Sequence, residues 1–516
     1  MASTPTTKSQ VQAYRFVLRR MESALVRKDA VMLHDPMGSH KRATVVGVAL
    51  ACVALIGFLV WGLFAGKGSV PQPGSIVIGK DSGSVYVVTA DDKAEKRLIP
   101  MLNMASAKLL AMSQSQGGAQ AGAPEPTTVK EAALAEFPRG PRTGMVNAPN
   151  YLPNAQNQAQ PSWAICDRGT NISNTEEQKY GEVETTVLGG EAQHGAPLKP
   201  EQSLYVQDQT THQEYLVYVP FQNKSGVVKA PIDQSSTTIK DLYGLNGGTP
   251  RTMSTNMLNA IPSAKKLEVP QQALQGTQTA NYMQAVNRYE VGDVVERSLP
   301  NEQKDYFLLR PDGKQQISQG AASVLHAAKK GAGDVPNATY AITQAPTTSQ
   351  PIEDLNSFPA AKPSPVSWQQ SEGSCLSWKN ENGHQNITAT LNSGQMSPKA
   401  PVKLAQADGN GPQVDNFYMP AGKAAVVRST PNEPGAASGQ LGLISDQGVS
   451  YGIKDVQTAQ GLGVIQNAND AKAGPAWLTR ALPRGAFLDP AESSYAYDSI
   501  PVDKDKAVNR PRPPQQ

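Results

Sequence analysis

The chain has 516 residues, roughly three domains' worth at ~150 residues each. Hydrophobic residues make up 39% and aromatic ones 6%, with 44 glycines and 40 prolines. That composition suits several small, turn-rich β units and not one large packed enzyme core. A net charge of +3 and three cysteines without a CxxC exclude charge-driven nucleic-acid binding, a disulfide mini-protein and a zinc ribbon.

The first predicted element is a helix between Val11 and Val26. Tyr14, Val17, Leu18, Met21 and Leu25 fall on one face of it, and Arg15, Arg19 and Arg20 lie on others. Two readings stay open: a helix lying on acidic lipid headgroups, or a docking helix whose apolar stripe packs on a cytoplasmic partner.

From Thr44 to Ala65 the chain carries no charge. As a helix this stretch is about 33 Å long, enough for a hydrocarbon layer of ~30 Å. His40, Lys41 and Arg42 stop it on one side and Lys67 on the other, with Trp61 and Phe64 near the far end. A basic region of 43 residues ahead of it does not suit a cleaved signal peptide. Lys8, Arg15, Arg19, Arg20, Arg27, Lys28, Lys41 and Arg42 precede the span, and only Lys67 and Lys80 follow closely. The positive-inside bias therefore puts the N-terminus in the cytoplasm and the bulk of the chain outside.

Beyond the span a strand–turn–strand–helix pattern recurs four times, at about 74–110, 202–245, 291–328 and 439–464. Asp312–Gly313 and Asp446–Gln447–Gly448 supply turn residues in the third and fourth copies. Units this small must pack on neighbours. Pro138–Arg139–Gly140 follows the first unit and Pro483–Arg484–Gly485 the fourth. Trp163 and Cys166 lie between units one and two, and Cys375 and Trp378 between units three and four. The expected layout is a pseudo-twofold chain: unit, half of a centre, unit, then the same again. Cys52 lies in the span, which leaves Cys166 and Cys375 as two thiols in an oxidising compartment. They form either a disulfide closing a loop of about 210 residues or a pair of buried free thiols.

Two motifs invite enzyme readings. Gly74 to Lys80 fits GxxxxGK, but Asp81 stands where a magnesium-binding Ser or Thr belongs, and Ile76, Val77 and Ile78 read as a strand. Gly448 to Gly452 fits GxSxG, yet no histidine follows Ser450 and the segment also reads as a strand. The histidines at 194, 212, 326 and 384 lack metal-ligand spacing. No catalytic, cofactor or metal residues are expected. Ser113 to Thr128 is a low-complexity connector, and the end, charged and then proline-rich, is either a disordered tail or an extended segment reaching a partner or polymer.

The order SQVQAYRFVLRRMESALVRKDAVMLHDPMGSHKRA, one membrane helix, DSGSVYVV, LIPMLNMASAKLL, FPRGP, a Trp–Cys pair, SDQGVSYGI and ALPRGAFLDPAE closely resembles the EccB family, single-pass core components of type VII (ESX) secretion. The resemblance runs from about Ser9 to Ala491. It implies a mixed α+β, β-rich chain whose elongated extracytoplasmic domain sets four small β/α repeats around a central β domain bridged by one disulfide. The expected boundaries are a cytoplasmic helix in 1–43, the transmembrane helix at 44–65, repeats at 70–113, 200–265, 288–330 and 438–490, centre halves at 129–199 and 331–437, and a tail at 491–516. It also implies a scaffold working with EccC, EccD, EccE and the mycosin protease, dimerising and joining a larger ring. Some family members are labelled ATPases. The alternatives are therefore an ATP hydrolase, or a cell-envelope module holding peptidoglycan or polysaccharide. The module would need exposed strand aromatics such as Tyr86 or Tyr451 to line a groove.

Overall fold

The computed structural model describes residues 7–28, 37–65, 72–90, 95–114, 124–149, 151–170, 182–190, 195–222, 226–232, 237–276, 282, 289–300, 302–331, 333–367, 370–381, 384–392, 400–409, 411–430 and 439–497. The tail beyond 497, most of the low-complexity connector and His194 lie outside these residues. The described chain divides into two units, one of 1–71 with 129–136 and one of 72–128 with 137–516.

In the first unit the N-terminal helix spans Lys8–Arg27 and starts earlier than the apolar stripe alone suggests. A capping box causes this. The Thr7 hydroxyl accepts from the Gln10 N–H while the Gln10 side chain accepts from the Thr7 N–H. The helix ends where Lys28 turns left-handed, at φ 53°. The second helix, Met37–Ala65, also begins before its uncharged run. Arg42–Val60 within it is long and apolar enough to cross a membrane, and none of that stretch is buried in protein.

The second unit holds four three-stranded antiparallel meanders, each followed by a helix. The first comprises Ile76–Gly79, Val85–Ala90 and Lys96–Pro100, then helix Met104–Gln114. The second comprises Gln202–Asp208, Glu214–Tyr218 and Val228–Pro231, then helix Thr237–Leu242. Val294–Ser298, Lys304–Arg310 and Gly313–Ile317 form the third, before helix Gln319–Lys330. Ala424–Thr430, Leu441–Ser445 and Ser450–Ile453 form the fourth, before helix Val456–Gly461. Polar side chains start the last two of these helices: Ser318 caps the third through the Ala321 N–H and Asp455 the fourth through the Thr458 N–H. Arg251–Met253 adds a parallel strand to Gln202–Asp208, and Lys472–Pro475 adds one to Ala424–Thr430. Ala424–Thr430, which lies within the 331–437 stretch, ladders with Leu441–Ser445.

One backbone contact recurs in all four. A proline carbonyl accepts from a residue of the third strand, and the N–H two residues past that proline donates back to the same strand residue. The sets are Pro138 and Gly140 on Leu98, Pro262 and Ala264 on Lys229, Pro346 and Thr348 on Lys314, and Pro483 and Gly485 on Ser450, all between 2.7 and 3.0 Å. The sequence marked only the first and last of these.

The remaining large sheet has seven strands, with Ser162–Thr170 and Gly373–Glu381 side by side in its middle. Cores join the sheets in series within this unit. Leu109 and Met112 of the first helix pack with Leu443 and Ile453 of the fourth meander. Val427 and Trp477 of the fourth region share a core with Trp163 and Trp378 of the seven-stranded sheet, and so do Leu204 and Met257 of the second. Leu216 and Tyr243 of the second meet Leu308 and Leu325 of the third.

Candidate functional site: the disulfide-tied sheet and the exposed helix

The alternation of side chains along a strand sends Trp163 and Ile165 to one face and Ala164 and Cys166 to the other. Antiparallel register sets Trp163 opposite Trp378 and Cys166 opposite Cys375. Cys166 and Cys375 form a disulfide with Cα atoms 4.0 Å apart, 209 residues apart in sequence. It lies in a small buried cluster with Ala164, Leu188 and Tyr418. The two tryptophans are fully buried on the other face. Of the two readings for these thiols, the bonded one holds.

Next to the disulfide, Asp167 is buried where the seven-stranded sheet meets the second meander's region. Its carboxylate accepts from the Ser254 N–H at 2.7 Å, the Ser254 hydroxyl at 2.8 Å and the Thr185 hydroxyl at 3.0 Å. Burial pushes its pKa up to about 6, against these hydrogen bonds and the nearby Arg251. Arg251 is itself buried, which lowers it to about 10, and it donates to the Ser371 carbonyl at 3.0 Å. Ser254 caps helix Thr255–Ala260 through the Met257 N–H. Sequence reasoning missed this node. The signal available was an aspartate continuing the apolar run WAIC.

The predicted stripe Tyr14, Val17, Leu18, Met21 and Leu25 sits on helix Lys8–Arg27, and all five side chains are exposed, Leu25 by 82%. The helix brings them to one face.

The decoy motifs are strands. Ile76–Gly79 pairs with Val85–Ala90, and the Gly79 N–H closes the hairpin on the Ser84 carbonyl. Lys80 sits in that exposed turn, not at a helix N-terminus. Ser450 lies in Ser450–Ile453, and its N–H donates to the Pro483 carbonyl. Tyr86 and Tyr451, the two aromatics named for the envelope-module reading, are buried: Arg139 covers the Tyr86 ring at 5.6 Å, and Gly485 lies against Tyr451. Among the described residues no three His, Cys, Asp or Glu side chains converge.

The family model described as Type VII secretion system ESX-1, transport TM domain B, matches residues 3–502. The chain belongs to the EccB family. Its EccB relatives include the ESX-3 secretion system ATPase EccB3 of Mycolicibacterium smegmatis, 25% identical over 97% of this chain and 92% of that one. The ESX-5 secretion system ATPase EccB5 of Mycobacterium tuberculosis is 27% identical over 96% and 95%. The fold matches a chain of an intact ESX-5 inner membrane complex with a TM-score of 0.65 over 98% of both chains, at 22% identity. It also matches the EccB3 dimer of the ESX-3 core complex, with a TM-score of 0.63 over 82% of this chain and all of that one, at 20% identity. The names of these relatives carry the word ATPase, whereas the solved structures are of membrane-complex components.

Proposed function

We propose that this EccB chain is a membrane-anchored structural component of the type VII secretion machinery. It scaffolds the extracytoplasmic side of the complex and hydrolyses no nucleotide itself. The observation that carries this reading is the union of the chain's two halves. Strands 209 residues apart are bonded through Cys166 and Cys375, and the surrounding cores run through the whole second unit. Such a body holds partners at fixed positions.

The four meanders with their matching proline contacts are read as four repeats, and the seven-stranded sheet as their centre, with the fourth repeat beginning at Ala424 and not at 438. The span at 44–65 leaves the N-terminal helix cytoplasmic by the positive-inside bias. There the stripe Tyr14, Val17, Leu18, Met21 and Leu25 docks on a cytoplasmic partner protein. The partners are the membrane proteins EccC, EccD and EccE, with mycosin outside, and EccB dimers enter a larger ring. The solved EccB3 dimer supports the self-association.

The test is gentle solubilisation of native membranes and pull-down through a C-terminal tag. A large complex should co-purify, and Leu18→Glu with Met21→Glu should release its cytoplasmic members while the chain stays in the membrane. Recovery of the chain alone would refute the scaffold role.

A further inference from the structure

The fourth meander carries a glycine that the fold does not require. Gly442 lies inside strand Leu441–Ser445, directly opposite Gly452 in the neighbouring strand. Glycine weakens a strand interior and often marks a close approach to a ligand. Gly452 has a local reason, since a Cβ there would fall 2.8 Å from the Phe487 ring. Gly442 has none: its φ is not positive, and a Cβ would meet nothing nearer than 3.6 Å.

What Gly442 leaves open is the floor of a groove of about 360 Å³. Phe487, 43% exposed, forms one edge over Gly452. Arg484, Gln440, Ser429 and Thr479 also line it. Ser450 is 94% buried, by its 6% exposure, and faces the same groove. Among the described residues its hydroxyl has no hydrogen-bond partner. Arg484 has no carboxylate partner among them either, and Asp489, the closest acid in sequence, pairs with Lys454 at 3.1 Å.

We propose that this groove binds a carboxylate-bearing glycan. A floor without Cβ atoms accepts the flat face of a sugar ring, and Phe487 supplies an apolar edge for its C–H groups. Ser429, Ser450 and Gln440 offer hydrogen bonds to hydroxyl or acetamido groups, and Arg484 offers a bidentate seat for a carboxylate. The volume is that of a small-molecule site and holds about one or two rings. A peptide adding to a sheet edge would need unpaired main chain. Here the Ser450 N–H and carbonyl are taken by Pro483 and Gly485, and the Ser429 N–H by Gln440. The scaffold role does not use this groove, so the two stand or fall separately.

The experiment is calorimetry on the full chain in a non-glycosidic detergent. The probes are N-acetylglucosaminyl-N-acetylmuramic acid, N,N′-diacetylchitobiose, which lacks the carboxylate, and an acidic hexapeptide. The muramic disaccharide should saturate, with chitobiose at least about tenfold weaker. Arg484→Gln should bring the first down to the second. Gly442→Ala, which the sheet accommodates, should keep or raise the melting temperature while weakening the disaccharide at least about tenfold. Absence of saturation overturns the proposal. So does unchanged affinity in both variants, or an acidic peptide that displaces the sugar.

Discussion

A Cβ on Gly485 would fall 2.2 Å from the Tyr451 ring, and one on Gly140 would fall 2.3 Å from Ile99. Both glycines end a Pro-Arg-Gly segment, and both donate to the strand residue just before that neighbour, Ser450 or Leu98. In the second meander the corresponding strand residue is Ala230, and Ala264 takes the glycine's place. In the third meander Thr348 takes it beside Gln315, so the close approach that needs glycine is a property of the first and last segments, against Ile99 and Tyr451.

Gly485→Ala should accordingly destabilise the folded chain by about 1–3 kcal/mol, the usual cost of overpacking. The cost should shrink in a Tyr451→Ala background, because the clash partner is gone. Denaturant midpoints across the four-variant cycle measure this, and additive costs would sink the explanation.

The disulfide closes a loop long enough to be worth ~4–5 kcal/mol in the chain-entropy model, with measured values often smaller. Replacing Cys166 and Cys375 together by serine should lower stability without changing the sheet, since Trp163 and Trp378 stay packed opposite each other. Thermal unfolding with and without reductant checks it: reductant should lower the melting temperature of the natural chain and leave the double variant unmoved.

Asp167 gives a pH dependence of unusual sign. Its folded pKa is raised from 3.8 to about 6, so between those values the folded chain holds a proton that the unfolded chain has released. Its contribution to stability therefore falls as pH rises from about 4 to about 6 and is level above 7, with a span of at most about 3 kcal/mol. Urea midpoints at pH 4.5 and 7.5 for the natural chain and Asp167→Asn separate this slope from every other group. A natural chain that gains stability relative to the variant over that interval contradicts the burial argument.

The nucleotide reading has a direct test at Lys80. The purified chain and Lys80→Ala should show equal background phosphate release and no saturable ATP binding at millimolar nucleotide, because a hairpin turn offers no phosphate cradle. Saturable hydrolysis lost in Lys80→Ala would restore the ATPase label.

The sequence by itself determined what is local or strongly apolar. The uncharged run from Thr44, the stripe from Tyr14 to Leu25 and the four strand–turn–strand–helix patterns are periodicities of neighbouring residues, and the helices and hairpins formed where they pointed. Cys166 and Cys375 were legible because two thiols left outside the membrane have one possible partner each. Only the tertiary structure decided the rest. The proline contacts at Pro262 and Pro346 use main-chain atoms, which leave little trace in side-chain identity. Ala424–Thr430 reads as a strand in any sheet, and its antiparallel ladder with the next strand, Leu441–Ser445, sets it in the fourth meander. Tyr86 and Tyr451 lie on strands whose outer faces are covered by segments distant in sequence, so alternation could not foretell their burial. Asp167 reads as a surface acid until Ser254 and Thr185 arrive from elsewhere in the chain to satisfy it. Local periodicity fixes which elements form; burial and backbone pairing between distant segments fix which faces remain for a partner.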